Sequence, residues 1–145
     1  MGYRSTVAYS IRFIPQSYNT PESPDDAEKA RGTFFTFLAD AKANEDTALC
    51  FQDTEHFKVD EENLSISFFA EGVKWYEDYA DVKCHEALMD LSREWADDGD
   101  CSNPYIGGAY ARIGDDMEDT AEDCWGQGDY EWCCVRRFIE CDWVG

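Results

Sequence analysis

The alternation at the start of the chain constrains its fold more than any other feature. Over 3–13, Tyr3, Val7, Tyr9, Ile11 and Phe13 fall on one face of an extended segment, and Arg4, Thr6, Ser10 and Arg12 fall on the other. Side chains along a strand alternate between the two faces of a sheet, so this pattern predicts a half-buried strand. Such a strand needs neighbours to pair with and a layer to cover its apolar face.

Two helical patterns can supply the cover. Ser23-Pro24-Asp25-Asp26 reads as a helix start: Ser23 caps, Pro24 suits the first turn, and the two acids favour the positive end of the dipole. Ala27, Ala30, Phe34, Phe37, Leu38 and Ala41 then recur at helical spacing, with Gly32 as the weak point. A second helix is predicted over 78–97, with Cys84, Leu88, Leu91 and Trp95 on one stripe.

The neighbours come from shorter patterns. Residues 48–52 and 56–59 read as short strands, and 64–70 as a further strand after the polar turn Asp60-Glu61-Glu62-Asn63. Gly72 marks a bulge or the end of pairing. Residues 105–113 read as a strand, 114–129 as an acidic excursion bounded by glycines, and 130–144 as a last strand. On that last strand Cys133, Val135, Ile139, Cys141 and Trp143 face inward, with Arg137 as the charged exception. The expected order is β-α-β-β-β-α-β-β. It predicts one α+β domain over 1–145, a mainly antiparallel sheet with two helices on one face, built around a ferredoxin-like split βαβ core.

Charge excludes some functions. The chain has 32 acids against 12 Lys and Arg, a formal charge of −20 on 145 residues, yet 15% of it is aromatic. The aromatic content argues for a packed core rather than a disordered acidic chain. The charge repels phosphate backbones and anionic lipid, so neither direct nucleic-acid binding nor membrane binding is expected. A basic surface on a nucleic-acid-binding protein or complex is the expected partner. Seven cysteines raise the question of a disulfide scaffold. The odd count, the polar–apolar alternation of residues 1–14 where a secretory signal would have a hydrophobic run, and the placement of Cys84, Cys133 and Cys141 inside regular elements favour reduced thiols in a cytoplasm.

The acids themselves are the candidate site. Glu86, Asp90 and Glu94 share one stripe of the second helix, and Asp97 and Asp98 extend it. The excursion adds Asp115, Asp116, Glu118, Asp119, Glu122 and Asp123 with no basic residue among them. Duplex DNA presents one charge per ~1.7 Å of axis, and a rigid row of carboxylates can imitate it. The plainer reading is a solvated acidic face that keeps the chain soluble. Trp125, between Cys124 and Gly126 beside these acids, is expected either to anchor a partner interface or to tuck under its own loop.

Chemistry of other kinds finds less support. Cys84-His85, His56, Cys124, Cys133, Cys134 and Cys141 are ligand types without the C-x₂₋₄-C spacing of a zinc knuckle. Neighbouring Cys84 and His85 do not face each other on a helix, and Cys84 belongs to the apolar stripe. Neighbouring Arg136 and Arg137 point to opposite sides of a strand and suit structural ion pairs. No nucleophile elbow, phosphate loop or metalloprotease motif is present in the sequence. No catalytic, metal or cofactor residue is therefore assigned, and a non-enzymatic protein is expected.

The opening Met1-Gly2-Tyr3-Arg4-Ser5-Thr6-Val7 resembles the start of small, uncharacterised acidic proteins of bacteriophages and their hosts. Residues 111–119, Ala-Arg-Ile-Gly-Asp-Asp-Met-Glu-Asp, and Arg136-Arg137-Phe138-Ile139-Glu140 are similar to their C-terminal part. That resemblance brings no activity or site residues with it. In size and charge alone, the chain also resembles phage inhibitors of host defence that mimic DNA, of the anti-restriction and anti-CRISPR kind. It implies an inhibitor acting in the bacterial cytoplasm. Two alternatives stay open: a structural or oligomerising phage-type protein whose charge serves solubility, and a small enzyme with an unrecognised Cys/His/carboxylate site.

Overall fold

The computed structural model describes residues 4–14, 24–76, 78–96, 106–116, 118–126 and 132–133. In chain order its elements are β1 (Ser5–Phe13), α1 (Pro24–Ala43), a 3₁₀ segment (Ala48–Gln52), β2 (Phe57–Asp60), β3 (Ser65–Val73), α2 (Ala80–Ala96), β4 (Ile106–Gly114) and β5 (Thr120–Gly126). The strands form one antiparallel sheet in the order β2-β3-β1-β4-β5. The portion β2-β3-β1-β4, with a helix after β1 and another after β3, is the split βαβ arrangement expected from the sequence. β5 extends it beside β4.

The alternation of β1 sets the layers. Val7, Tyr9, Ile11 and Phe13 are buried against Phe34, Phe37, Leu38 and Ala41 of α1 and Cys84, Leu88 and Met89 of α2. Both helices therefore cover one face of the sheet. The core is largely aromatic: Phe13 stacks on Phe34 at 5.4 Å, Tyr9 stacks on Phe68 at 5.4 Å, and Trp95 meets Phe37 edge-on at 5.3 Å. Such pairs add stability beyond the area they bury. On the opposite face, Ala8, Ala109, Ala111 and Cys124 pack with Trp132 and Cys133. The Arg12 guanidinium lies 4.4 Å over the Trp132 ring.

Local chemistry fixes the turns. Asp60 accepts the backbone N–H groups of Glu62 and Asn63, both at 3.0 Å, and closes the β2–β3 hairpin. The β1–β3 register slips between Ser5↔Val73 and Val7↔Ala70, so of the two expectations for Gly72, a bulge or the end of pairing, the bulge holds, and Gly72 has a φ of +63°. The β4–β5 turn closes through Gly114 N–H to the Asp119 carbonyl at 2.8 Å.

Three expectations need correction or fall elsewhere. Residues 48–52 form a 3₁₀ segment rather than a strand, because Thr47 hooks the chain back onto the end of α1 through its hydroxyl and the Ala41 carbonyl. The stretch 114–129 is not a bare excursion: 120–126 is β5, in register with β4 from Ile113↔Thr120 to Gly107↔Gly126. The last strand expected over 130–144 lies outside the described residues except for Trp132 and Cys133, as do Ser23, Arg136 and Arg137. Among the described residues, no helix is long and apolar enough to cross a membrane.

Candidate functional site

Two polar regions are built on α2, one buried and one exposed. The buried one begins at its first turns. Cys84 and His85 are consecutive, both 4% exposed, and both on the arc that α2 turns toward the sheet and the 3₁₀ segment. The 3₁₀ segment delivers Cys50 to the same place. Ligand atoms of Cys50, Cys84 and His85 all lie within 4.8 Å of one another.

Hydrogen bonds wire this cluster together. The Tyr9 hydroxyl, projecting from β1, lies 2.6 Å from His85 Nδ1 and interacts with the Cys50 thiol. Cys84 Sγ donates to the Asp81 carbonyl at 3.0 Å, and its thiol interacts with that of Cys50. Aromatic rings wall it in, with Phe68 centred 4.2 Å from the imidazole and Trp75 at 5.9 Å.

Burial governs protonation here. Desolvation pushes His85 down to about 4, against the opposing pull of Asp53 and Asp81, so the ring is neutral at pH 7. Burial raises Tyr9, which stays a phenol. The phenol and Nδ1 share one hydrogen, and the ring tautomer sets which of the two donates. Interaction with Cys84 and burial push the Cys50 thiol up, and the same interaction lowers Cys84, making Cys84 the thiol that ionises first.

Cys84 and His85 also line a cavity of about 190 Å³, together with Trp75, Asp81, Asp53 and His56. At its rim Asp53 holds His56 through a 3.1 Å contact to Nδ1 and accepts the His56 backbone N–H at 3.0 Å. Both histidines of the chain thus reach one pocket. The sequence reading named Cys84, His85 and His56 as ligand types but not Cys50. No spacing rule joins residues so far apart, and only the packing of the 3₁₀ segment against α2 does so.

The exposed region joins the two acidic runs. Arg93 contacts Asp90 at 2.7 Å and Asp123 at 2.9 Å, tying α2 to β5. Its guanidinium lies 4.2 Å over the Trp125 ring. Glu86 acts electrostatically on Tyr110 of β4, so the Glu86–Asp90–Glu94 stripe runs along the β4–β5 side of α2. Several acids are used internally. Asp115 accepts the Arg4 backbone N–H at 2.9 Å, Asp116 accepts that of Glu118 at 3.0 Å, and Arg112 grips Asp119 with two bonds of 2.8 and 3.0 Å. Glu94, Glu118 and Glu122 are exposed, with no side-chain hydrogen bond or ion pair among the described residues. Asp97 and Asp98 lie outside those residues.

Trp125 does not stand out as an exposed anchor. It is 8% exposed, and its Nε1 donates to Ser92 Oγ at 2.8 Å. Its ring lies against Gly108, where a Cβ would come within 2.1 Å of it. Of the two placements expected for this indole, the tucked one holds, under α2 rather than under its own loop.

No family model, curated protein or solved structure matches the chain.

Proposed function

We propose that this protein is a non-enzymatic acidic binding protein whose α2–β5 flank docks on the basic, nucleic-acid-binding groove of a partner protein or complex. One observation carries the reading: Arg93 brings two acidic runs that are distant in sequence onto one flank. There Asp90, Glu94 and Asp123 face solvent on the α2 side, and Glu118 in the β4–β5 turn and Glu122 on the other face of β5 are exposed along the same edge. A helix, a paired strand and a hydrogen-bonded turn hold these carboxylates on one frame. Fixed charge of one sign steers a basic partner and competes with its phosphate ligand. The role of a phage inhibitor of host defence, resembled in size and charge, belongs to this reading.

The test is capture from bacterial lysate on the tagged protein, with washes of rising salt and added duplex DNA. A basic nucleic-acid-binding protein that leaves as salt rises and is displaced by DNA supports the proposal. Exposed charges are screened over ~10 Å at 0.1 M salt, so the loss should be steep. A partner retained at high salt and indifferent to DNA favours instead a structural or oligomerising role through exposed apolar groups such as Phe69 and Tyr79.

The Cys/His pocket favours a second reading, a small enzyme. Its wiring argues against a thiol nucleophile, since Tyr9 occupies His85 Nδ1 and Cys84 donates to a backbone carbonyl. A thiol nucleophile requires a base aimed at the sulfur.

A further inference from the structure

We propose that Cys50, Cys84 and His85 form a binding site for one zinc ion, open on one side to the adjoining cavity. This site is separate from the acidic flank and does not depend on that flank's role.

Donor chemistry selects the ion. Two sulfurs and one imidazole nitrogen suit zinc and disfavour calcium and magnesium, which take oxygen ligands. Zinc binds sulfur at ~2.3 Å and nitrogen at ~2.0 Å, which places tetrahedral ligand atoms roughly 3.5–3.8 Å apart. The three donors lie within 4.8 Å, so a contraction of at most about 1.3 Å closes them on an ion. Side-chain rotation at Cys50 and Cys84 can supply it, since the two residues stand on different elements.

The surroundings fit as well. Three protein ligands leave a fourth position, as in zinc sites that hold water or a small ligand, and Cys84 and His85 border the cavity where such a group would sit. Coordination takes a ring nitrogen of His85 that carries no hydrogen, and the bond between Nδ1 and Tyr9 fixes the ring's orientation. On binding, each thiol passes its proton to solvent, and the two thiolates balance the dication. Asp53 and Asp81, which both act electrostatically on His85, add negative potential. The Tyr9 hydroxyl orients the imidazole through its bond to His85 Nδ1.

The test uses the full-length chain, stripped of metal by a chelator and kept reduced with a phosphine. Zinc is titrated in competition with a chromophoric chelator, and thiol alkylation is mapped by mass spectrometry with and without zinc. The expected result is one tightly held ion per chain. Cys50 and Cys84 should be protected from alkylation, and Cys124 should react equally in both conditions. The variants Cys50→Ser and Cys84→Ser should each weaken binding by about 100-fold or more, since even outer residues of zinc sites cost 10–100-fold. The alkylation map needs no variant, so it decides the matter even if a substitution unfolds the chain. Absence of zinc binding by the reduced wild type, or protection that falls on other cysteines, overturns the proposal.

Discussion

The thiol–imidazole cluster and the acidic flank are both built on α2, yet they treat polar groups in opposite ways. In the cluster, burial suppresses charge: His85 is neutral and Tyr9 stays a phenol, and hydrogen bonds join Tyr9 to His85 and Cys84 to the Asp81 carbonyl. On the flank, solvent sustains charge. Arg93 and Arg112 bind some of the carboxylates, and others face water. One helix thus presents a dry, proton-holding arc to the core and a wet, ionised stripe to solvent. The formal charge of −20 describes only the second. A group on α2 is therefore better judged by the arc it occupies than by the composition of the chain.

Perturbing each region should separate them. The largest effect is expected where the flank is rooted in the core. Trp125→Ala empties the space under α2 and should cost about 3–5 kcal/mol in urea unfolding. Gly108→Ala, whose Cβ meets the indole at 2.1 Å, should cost about 3 kcal/mol through overpacking. A neutral Gly108→Ala would mean that the ring does not rest on β4 and that the flank is not rooted there.

The cluster should show itself through pH. Burial holds folded His85 at about 4, below the ordinary 6.5. Between these values the unfolded chain takes up a proton that the folded chain refuses. Stability from this residue is complete above about pH 6.5 and is lost as pH falls toward 4, by about 3 kcal/mol. The difference between wild type and His85→Gln, followed by denaturation across that range, isolates this loss. Equal slopes in the two proteins would place His85 in water.

Smaller effects are expected on the flank itself. Arg93→Ala removes two ion pairs and a ring contact at a partly exposed site, and should cost about 1 kcal/mol. Lysine at Glu94, Glu118 or Glu122 should change stability by no more than about 0.5 kcal/mol each.

The two regions were unequally legible in the sequence. The alternation of 3–13 and the stripes of both helices disclosed the layers, because burial on one face imposes a period on the residues. The acids of the flank were visible as charges, and the α+β order with a split βαβ core followed from the patterns. β5 was missed because Thr-Ala-Glu-Asp-Cys-Trp-Gly has too many acids to look like a strand. Pairing with β4 and burial of Trp125 override that preference. Residues 48–52 were misread because a short apolar run carries no period that separates strand from helix. The cluster was the least legible. Cys84 and His85, expected not to face each other, bring their ligand atoms within 4.8 Å inside the buried arc, and Cys50 arrives from another element. That meeting depends on tertiary packing and has no local signature.

The most direct test of the docking flank compares two charge reversals of equal size at opposite edges of the sheet. Glu94, Glu118 and Glu122 are changed to Lys in one variant. In the other, Glu55, Glu61 and Glu62, exposed near the β2 edge, are changed to Lys. Each is used to capture the DNA-displaceable partner at low salt. The account predicts that the flank variant loses the partner while the β2-edge variant, equally changed in charge, retains it. Equal retention, or equal loss, would contradict a docking surface located on the α2–β5 flank.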